Sequence, residues 1–116
     1  MVLYCRGGKK SAKGNPMTAY KEFSGGKLIF YITGEIDESN ISLVREEFDN
    51  GLALLPNAVI LDLRQMTFID STGIGMIISR YNKLKKIGVP LYARGLSAQT
   101  EKVFKTAGLL NIIGII

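Results

Sequence analysis

Two adjacent residues in this chain have the chemistry of a switch. Asp70 and Ser71 stand between an apolar run, Ala58-Val59-Ile60-Leu61-Asp62-Leu63, and a stretch with helical periodicity that ends at Gly88. A hydroxyl beside a carboxylate at a helix mouth meets unpaired backbone N–H groups and the positive end of the helix dipole, a setting that favours an added anion. Aspartate and serine are both good N-caps. With Asp70 as the cap, Ser71 occupies the first helical position and its hydroxyl is free to react. With Ser71 as the cap, its oxygen is committed to a backbone N–H. Gly73 and Gly75 favour the first arrangement, since they then fall at the start of the helix. Each costs up to about 1 kcal/mol relative to alanine, which a close approach to the backbone would explain. A capped helix whose glycines simply pack on a neighbouring strand explains the same residues without chemistry.

Other chemistries fail on composition. The 116 residues contain no histidine, which removes Ser-His-Asp and Cys-His catalysis and histidine metal sites. The context Ile69-Asp70-Ser71-Thr72-Gly73 is not the Gly-x-Ser-x-Gly elbow of a serine hydrolase, and no phosphate-binding loop motif occurs. Asp62 resembles the acceptor aspartate of a receiver domain, but no paired acids from the early strands accompany it. Glu35 and Asp37 share one loop, and two acids make a weak cation signal. One cysteine cannot form an intrachain disulfide. No apolar run approaches a membrane span, and no signal peptide is evident. The net charge of +5 is uneven: residues 1–16 carry Arg6, Lys9, Lys10 and Lys13 and no acid, leaving 11 basic and 10 acidic residues in the rest. The folded part is therefore nearly neutral and has no overall nucleic-acid footprint.

The elements that position Asp70 and Ser71 follow from periodicity. Residues 1–16 read as a disordered basic leader, with Met17 a candidate start, and residues 17–116 as one domain. Ala19–Phe23 and Lys27–Thr33 read as strands joined by a Ser24-Gly25-Gly26 hairpin turn. The second is apolar on both faces, as in a strand covered on both sides. Ser39 or Asn40 caps a helix with Ile41, Val44, Phe48 and Leu52 inward and Arg45, Glu46, Glu47 and Asp49 off that stripe; Asn50-Gly51 loosens its end. Strand 58–63 leads through a short loop into the helix from Asp70 to about Ile87, with Ile74, Ile77, Ile78, Tyr81, Leu84 and Ile87 along one face. Arg80, Lys83, Lys85 and Lys86 form an outer basic cluster. Val89–Ala93 is a strand. Ser97 caps a helix through Ala107, with Val103, Phe104 and Ala107 inward, and Leu109–Ile116 includes a last strand. Strands alternating with helices after a hairpin predict an α/β domain with a mixed sheet.

Thr33-Gly34-Glu35-Ile36-Asp37, Val59-Ile60-Leu61-Asp62-Leu63, Phe68-Ile69-Asp70-Ser71-Thr72-Gly73-Ile74-Gly75 and Ala107-Gly108-Leu109 together resemble a STAS domain of the anti-sigma-factor antagonist type, from about Met17 to Ile113. The resemblance implies a mixed central β-sheet with helices mainly on one face, and a bacterial, cytoplasmic, non-enzymatic regulator. The unphosphorylated antagonist would bind an anti-sigma factor that is also a serine kinase, releasing a sigma factor. Phosphorylation at Ser71, with Thr72 the second candidate, would end that complex, and a phosphatase would reset it. Asp37, Asp70, Ser71, Thr72, Gly73, Ile74 and Gly75 would form the partner surface. The resemblance implies no metal and no cofactor, although nucleotide binding is associated with some members. It implies no direct contact with nucleic acid and no membrane insertion. Two other roles share the fold: an accessory subunit of a membrane transport system, and a scaffold component of a stress-sensing assembly. Family members usually continue past the last strand into a C-terminal helix. Without it, an open face would let Leu109, Leu110, Ile112 and Ile113 pair two copies as a homodimer.

Overall fold

The computed structural model describes residues 2–5 and 19–116. Its strands are β1 (Val2–Cys5), β2 (Ala19–Ser24), β3 (Lys27–Ile36), β4 (Ala58–Ile69), β5 (Leu91–Arg94) and β6 (Gly114–Ile115). The helices are α1 (Ile41–Leu52), α2 (Ser71–Lys86) and α3 (Ala98–Thr106), with a 3-10 turn at Leu109–Asn111. The six strands form one sheet in chain order, β1-β2-β3-β4-β5-β6. The first three are antiparallel, and the pairs from β3 onward are parallel. Gly25 and Gly26 both have positive φ and close the β2–β3 hairpin as expected, because such a two-residue turn matches the twist of its strands.

One face of the sheet, with Leu28, Phe30 and Ile32 of β3, Val59, Leu61 and Leu63 of β4 and Ala93 of β5, forms a single core with residues of all three helices. Phe48 of α1 stacks on Phe30 at a centroid distance of 4.0 Å. The opposite face bears no helix among the described residues. Its rows read Tyr20, Tyr31, Asp62, Arg94 and Glu22, Ile29, Ile60, Tyr92 across β2 to β5. Tyr31 stacks on Tyr20 at 4.8 Å and its hydroxyl donates to Glu22 at 3.0 Å. The two-sided cover expected for β3 is thus replaced by aromatic and charged side chains of neighbouring strands, which leave Ile29, Tyr31 and Thr33 half-buried.

Several sequence expectations need correction. Val2–Cys5, placed in a disordered leader, pairs with β2, since this short β-prone run meets the open edge of that strand; residues 6–16 and Met17 lie outside the described residues. The loop expected after residue 63 is strand: β4 runs on to Ile69 against β3, with register shifts near Thr33 and Glu35. Those shifts hide the two-residue alternation. Arg80 is not part of an outer basic cluster. It is buried between α1 and α2, where its Nη2 donates to Asp49 at 3.1 Å. Glu47 is buried as well and binds Lys21 Nζ at 3.2 Å. Gly51 does not loosen α1, because it is buried and its missing side chain lets the helix press onto Phe30 and Leu28. Ile87 caps α2 but is largely exposed, and Ala107 is exposed rather than inward. Leu109 and Ile113 belong to the core, so of the proposed dimer face only Ile112 is exposed and Leu110 partly so.

Candidate functional site

The site lies where β3 and β4 end side by side. Their parallel register sets Glu35 beside Phe68 and Ile36 beside Ile69. Asp70 N then donates to Ile36 O at 3.2 Å, which ties the mouth of α2 to the loop leaving β3. Asp70 has extended backbone angles, and its carboxylate accepts from Gly73 N at 3.1 Å. Its own carbonyl accepts the first helical bond, from Ile74 N, at 3.0 Å. Asp70 is therefore the N-cap. Ser71 is exposed at the first helical position, and its hydroxyl has no hydrogen-bond partner among the described residues. Thr72 is half-buried behind it.

The two glycines differ. A Cβ on Gly73 would stand 2.6 Å from Ile69 Cγ1 and 2.8 Å from Ile36 Cγ2, so this glycine lets α2 close on the ends of both strands. A Cβ on Gly75 would meet nothing within 4 Å, leaving exposed backbone one turn beyond Ser71. Packing accounts for Gly73 and does not account for Gly75.

The neighbouring loop is held by its own side chains. Asp37 Oδ1 accepts from Ser39 N at 2.9 Å and from Ser39 Oγ at 2.6 Å. Asn40 accepts from Asp37 N at 3.0 Å and donates to Glu35 O at 2.6 Å. Asn40 occupies the N-cap position of α1 without a side-chain cap bond, its amide being spent on this loop. The Ser39 hydroxyl, helped by the Ser39 and Asn40 backbone N–H groups, holds the Asp37 carboxyl below the usual carboxylate range. A fixed anion thus flanks the mouth of α2. Among the described residues no three acids, cysteines or histidines gather as metal ligands.

A groove of about 460 Å³ opens on the other side of Ser71, between α2 and α3. Ile69, Ile74, Val103 and Ala107 make it largely apolar, while Asp70, Ser71, Lys102 and Thr106 supply its polar groups. Residues from α3 were absent from the site read in the sequence, because only tertiary packing brings this helix to Ser71. Phe68, 45% exposed near the end of β4, lies outside the expected site, although a large exposed aromatic three residues before Ser71 is a recognisable signal. Of the expected surface, Ser71 and Gly75 are exposed, Asp37, Asp70, Thr72 and Ile74 are half-buried, and Gly73 lies beneath.

Asp62 is remote from this chemistry. It is 3% exposed, accepting from Arg64 Nη2 at 2.7 Å and Arg94 Nε at 2.9 Å. Burial pushes its carboxyl up, but the two guanidinium groups outweigh that and hold it below the usual range. It is an ion-pair hub across β4 and β5 rather than a phosphate acceptor. No helix among the described residues is long and apolar enough to cross a membrane.

Comparison with known proteins agrees with this architecture. The STAS domain family model matches residues 18–116. An anti-sigma-B factor antagonist of Bacillus subtilis is 32% identical over 89 residues, covering 72% of this chain and 76% of the relative. Among solved structures, an anti-sigma factor antagonist from Mycobacterium paratuberculosis superposes with a TM-score of 0.73 at 25% identity, covering 84% of this chain and 83% of that one. The Bacillus cell-fate determinant SpoIIAA in its phosphorylated form shares the fold with a TM-score of 0.67 at 19% identity, covering 84% and 90% of the two chains. The match across nearly the whole described domain, joined to this identity with an antagonist, shows that the chain belongs to the STAS domain family, among the anti-sigma factor antagonists, a regulatory and non-enzymatic group.

Proposed function

We propose that the unphosphorylated protein binds an anti-sigma factor that is also a serine kinase, so that a sigma factor is released, and that phosphorylation of Ser71 ends this complex. A phosphatase then restores the binding form, and the cycle runs in the cytoplasm. The observation that carries the reading is the uncommitted, exposed hydroxyl of Ser71, left free because Asp70 takes the cap of α2. Thr72 is the second acceptor candidate, and its partial burial ranks it below Ser71. The existence of SpoIIAA, a protein of the same fold, in a phosphorylated form supports the chemistry.

Energetics favour a binding switch over a folding switch. A phosphoserine adds roughly −1.5 to −2 charges. The end of the helix dipole favours such an anion by about 0.3–1 kcal/mol, and the adjacent Asp70 opposes it. With these effects nearly balanced, the fold survives modification. At an interface, a like charge set against a partner's acid costs several kcal/mol.

The test is a comparison of wild type, Ser71→Ala and Ser71→Asp against the anti-sigma kinase. Ser71→Ala is expected to stay folded, bind and resist phosphorylation. Ser71→Asp is expected to keep its melting temperature and lose affinity. Phosphorylation of Ser71→Ala at the wild-type rate would overturn the assignment, and a large fall in the melting temperature of Ser71→Asp would move the switch from binding to folding.

A further inference from the structure

Lys102 stands on the α3 side of the groove that holds Ser71, and its ammonium makes no ion pair among the described residues. Thr106, one helical turn further, lines the same side, and its Oγ1 donates to Lys102 O at 3.0 Å. The remaining lining is apolar except for Asp70. Without a modification, this groove is lined by the uncharged Ser71 hydroxyl, the Asp70 carboxylate that caps α2, and a lysine with no ion-pair partner among the described residues. With a phosphate on Ser71, the same groove would carry a dianion and a cation on its two sides, close enough in one lining for a charge-assisted contact.

Resting on the proposed phosphorylation of Ser71, we propose that Lys102 is the counter-cation of the phosphoserine, so that the modified side chain folds into the α2–α3 groove and does not stand free in solvent. Other charges near the acceptor act the other way. Asp70 lines the groove, and Asp37 is held ionised in the adjoining loop. Both carboxylates disfavour the dianionic phosphate, and Lys102 is the cation placed to offset them. Glu101 and Lys105 lie on α3 but do not line the groove. The contact would join α3 to the state of Ser71, making the phosphorylated surface a different shape as well as a different charge.

Phosphoserine incorporated at position 71 during translation tests this without any kinase. The result therefore does not depend on whether a kinase modifies Ser71 in the cell. The second ionisation of the phosphate is followed by ³¹P NMR against pH in four proteins: the phosphoserine form alone, and the same form with Lys102→Met, Lys102→Arg or Lys105→Met. Lys102→Met is expected to raise the phosphate pKa by about 0.5 unit. Lys102→Arg, which keeps the charge, and Lys105→Met, which lies off the groove, should both titrate like the parent. Identical titrations for the parent and Lys102→Met would overturn the proposal, as would an equal shift in Lys105→Met. Lys102 is exposed, so Lys102→Met is expected to melt with the parent.

Discussion

Substituting alanine at Gly73 and at Gly75 should move stability in opposite directions, although both glycines sit in the first turns of one helix. Each replacement gains up to about 1 kcal/mol of helix propensity. At Gly75 nothing opposes the gain, because the new methyl meets no atom within 4 Å. At Gly73 the methyl would lie 2.6 Å and 3.0 Å from two atoms of Ile69 and 2.8 Å from Ile36. These residues are 7% and 0% exposed, so relief requires side chains of the core to shift. Overpacking of this kind typically costs about 1–3 kcal/mol. The net expectation is a loss of about 1 kcal/mol for Gly73→Ala and a gain of about 0.5–1 kcal/mol for Gly75→Ala. In a domain of this size 1 kcal/mol moves the melting temperature by about 4 °C, so the two variants should differ by roughly 6–8 °C. Urea unfolding followed by far-UV circular dichroism, with calorimetry as a check, measures both. If Gly73→Ala stabilises as much as Gly75→Ala does, the close approach of α2 to the strand ends is wrong. On the proposed function, the stabilised Gly75→Ala should also bind the anti-sigma factor less tightly, its methyl standing on the proposed partner surface.

Three further expectations follow from charges and caps. Asp70→Ala should lose about 1 kcal/mol of stability, and Asp70→Asn should retain most of it, because either oxygen can accept from Gly73 N; thermal melts decide. Asp49→Ala should destabilise more than Arg80→Met in urea titrations. The first strands a buried guanidinium, while the second releases a carboxylate that already reaches water. Asp62→Asn should cost about 2 kcal/mol at pH 7. The folded pKa of Asp62 is depressed. Its contribution is therefore complete above the unfolded carboxylate value near ~3.9 and is lost as pH falls through the folded value. Urea curves of wild type and Asp62→Asn should accordingly converge in acid, and a gap that persists unchanged at pH 2 would refute the ion-pair account.

How much of this was legible in the sequence depends on how local each cause is. The cap at Asp70 involves Gly73, three residues away, and the hairpin at Gly25-Gly26 involves only its own turn, so both could be read directly. Arg80 and Glu47 could not. Each looks like a surface charge until a partner 31 or 26 residues away makes burial tolerable. The far half of β4 looks like loop in the sequence because bulged pairing breaks the period-two pattern at Arg64-Gln65-Met66-Thr67-Phe68. The groove beside Ser71 was invisible for a similar reason. Val103 and Lys102 signal a helix with one inward stripe, and nothing local says that the edge of this stripe reaches the mouth of α2.

The order of the sheet also sets a schedule for assembly. Each strand pairs with the one synthesised just before it, so pairing can advance with the growing chain. The parallel pairings β3–β4 and β4–β5 are the non-local ones, each waiting for a helical crossover to close. Once β4 and α2 have docked, Ser71, its aspartate cap and the Asp37 loop are complete. α3, the far wall of the groove, leaves the ribosome later, by an interval on the order of seconds at ~5–20 residues per second. A nascent chain therefore presents Ser71 with only one side of its surroundings built. On the proposed phosphorylation of Ser71, a kinase that needs both walls would be confined to finished molecules, and one that reads the serine and its loop alone would act before synthesis ends.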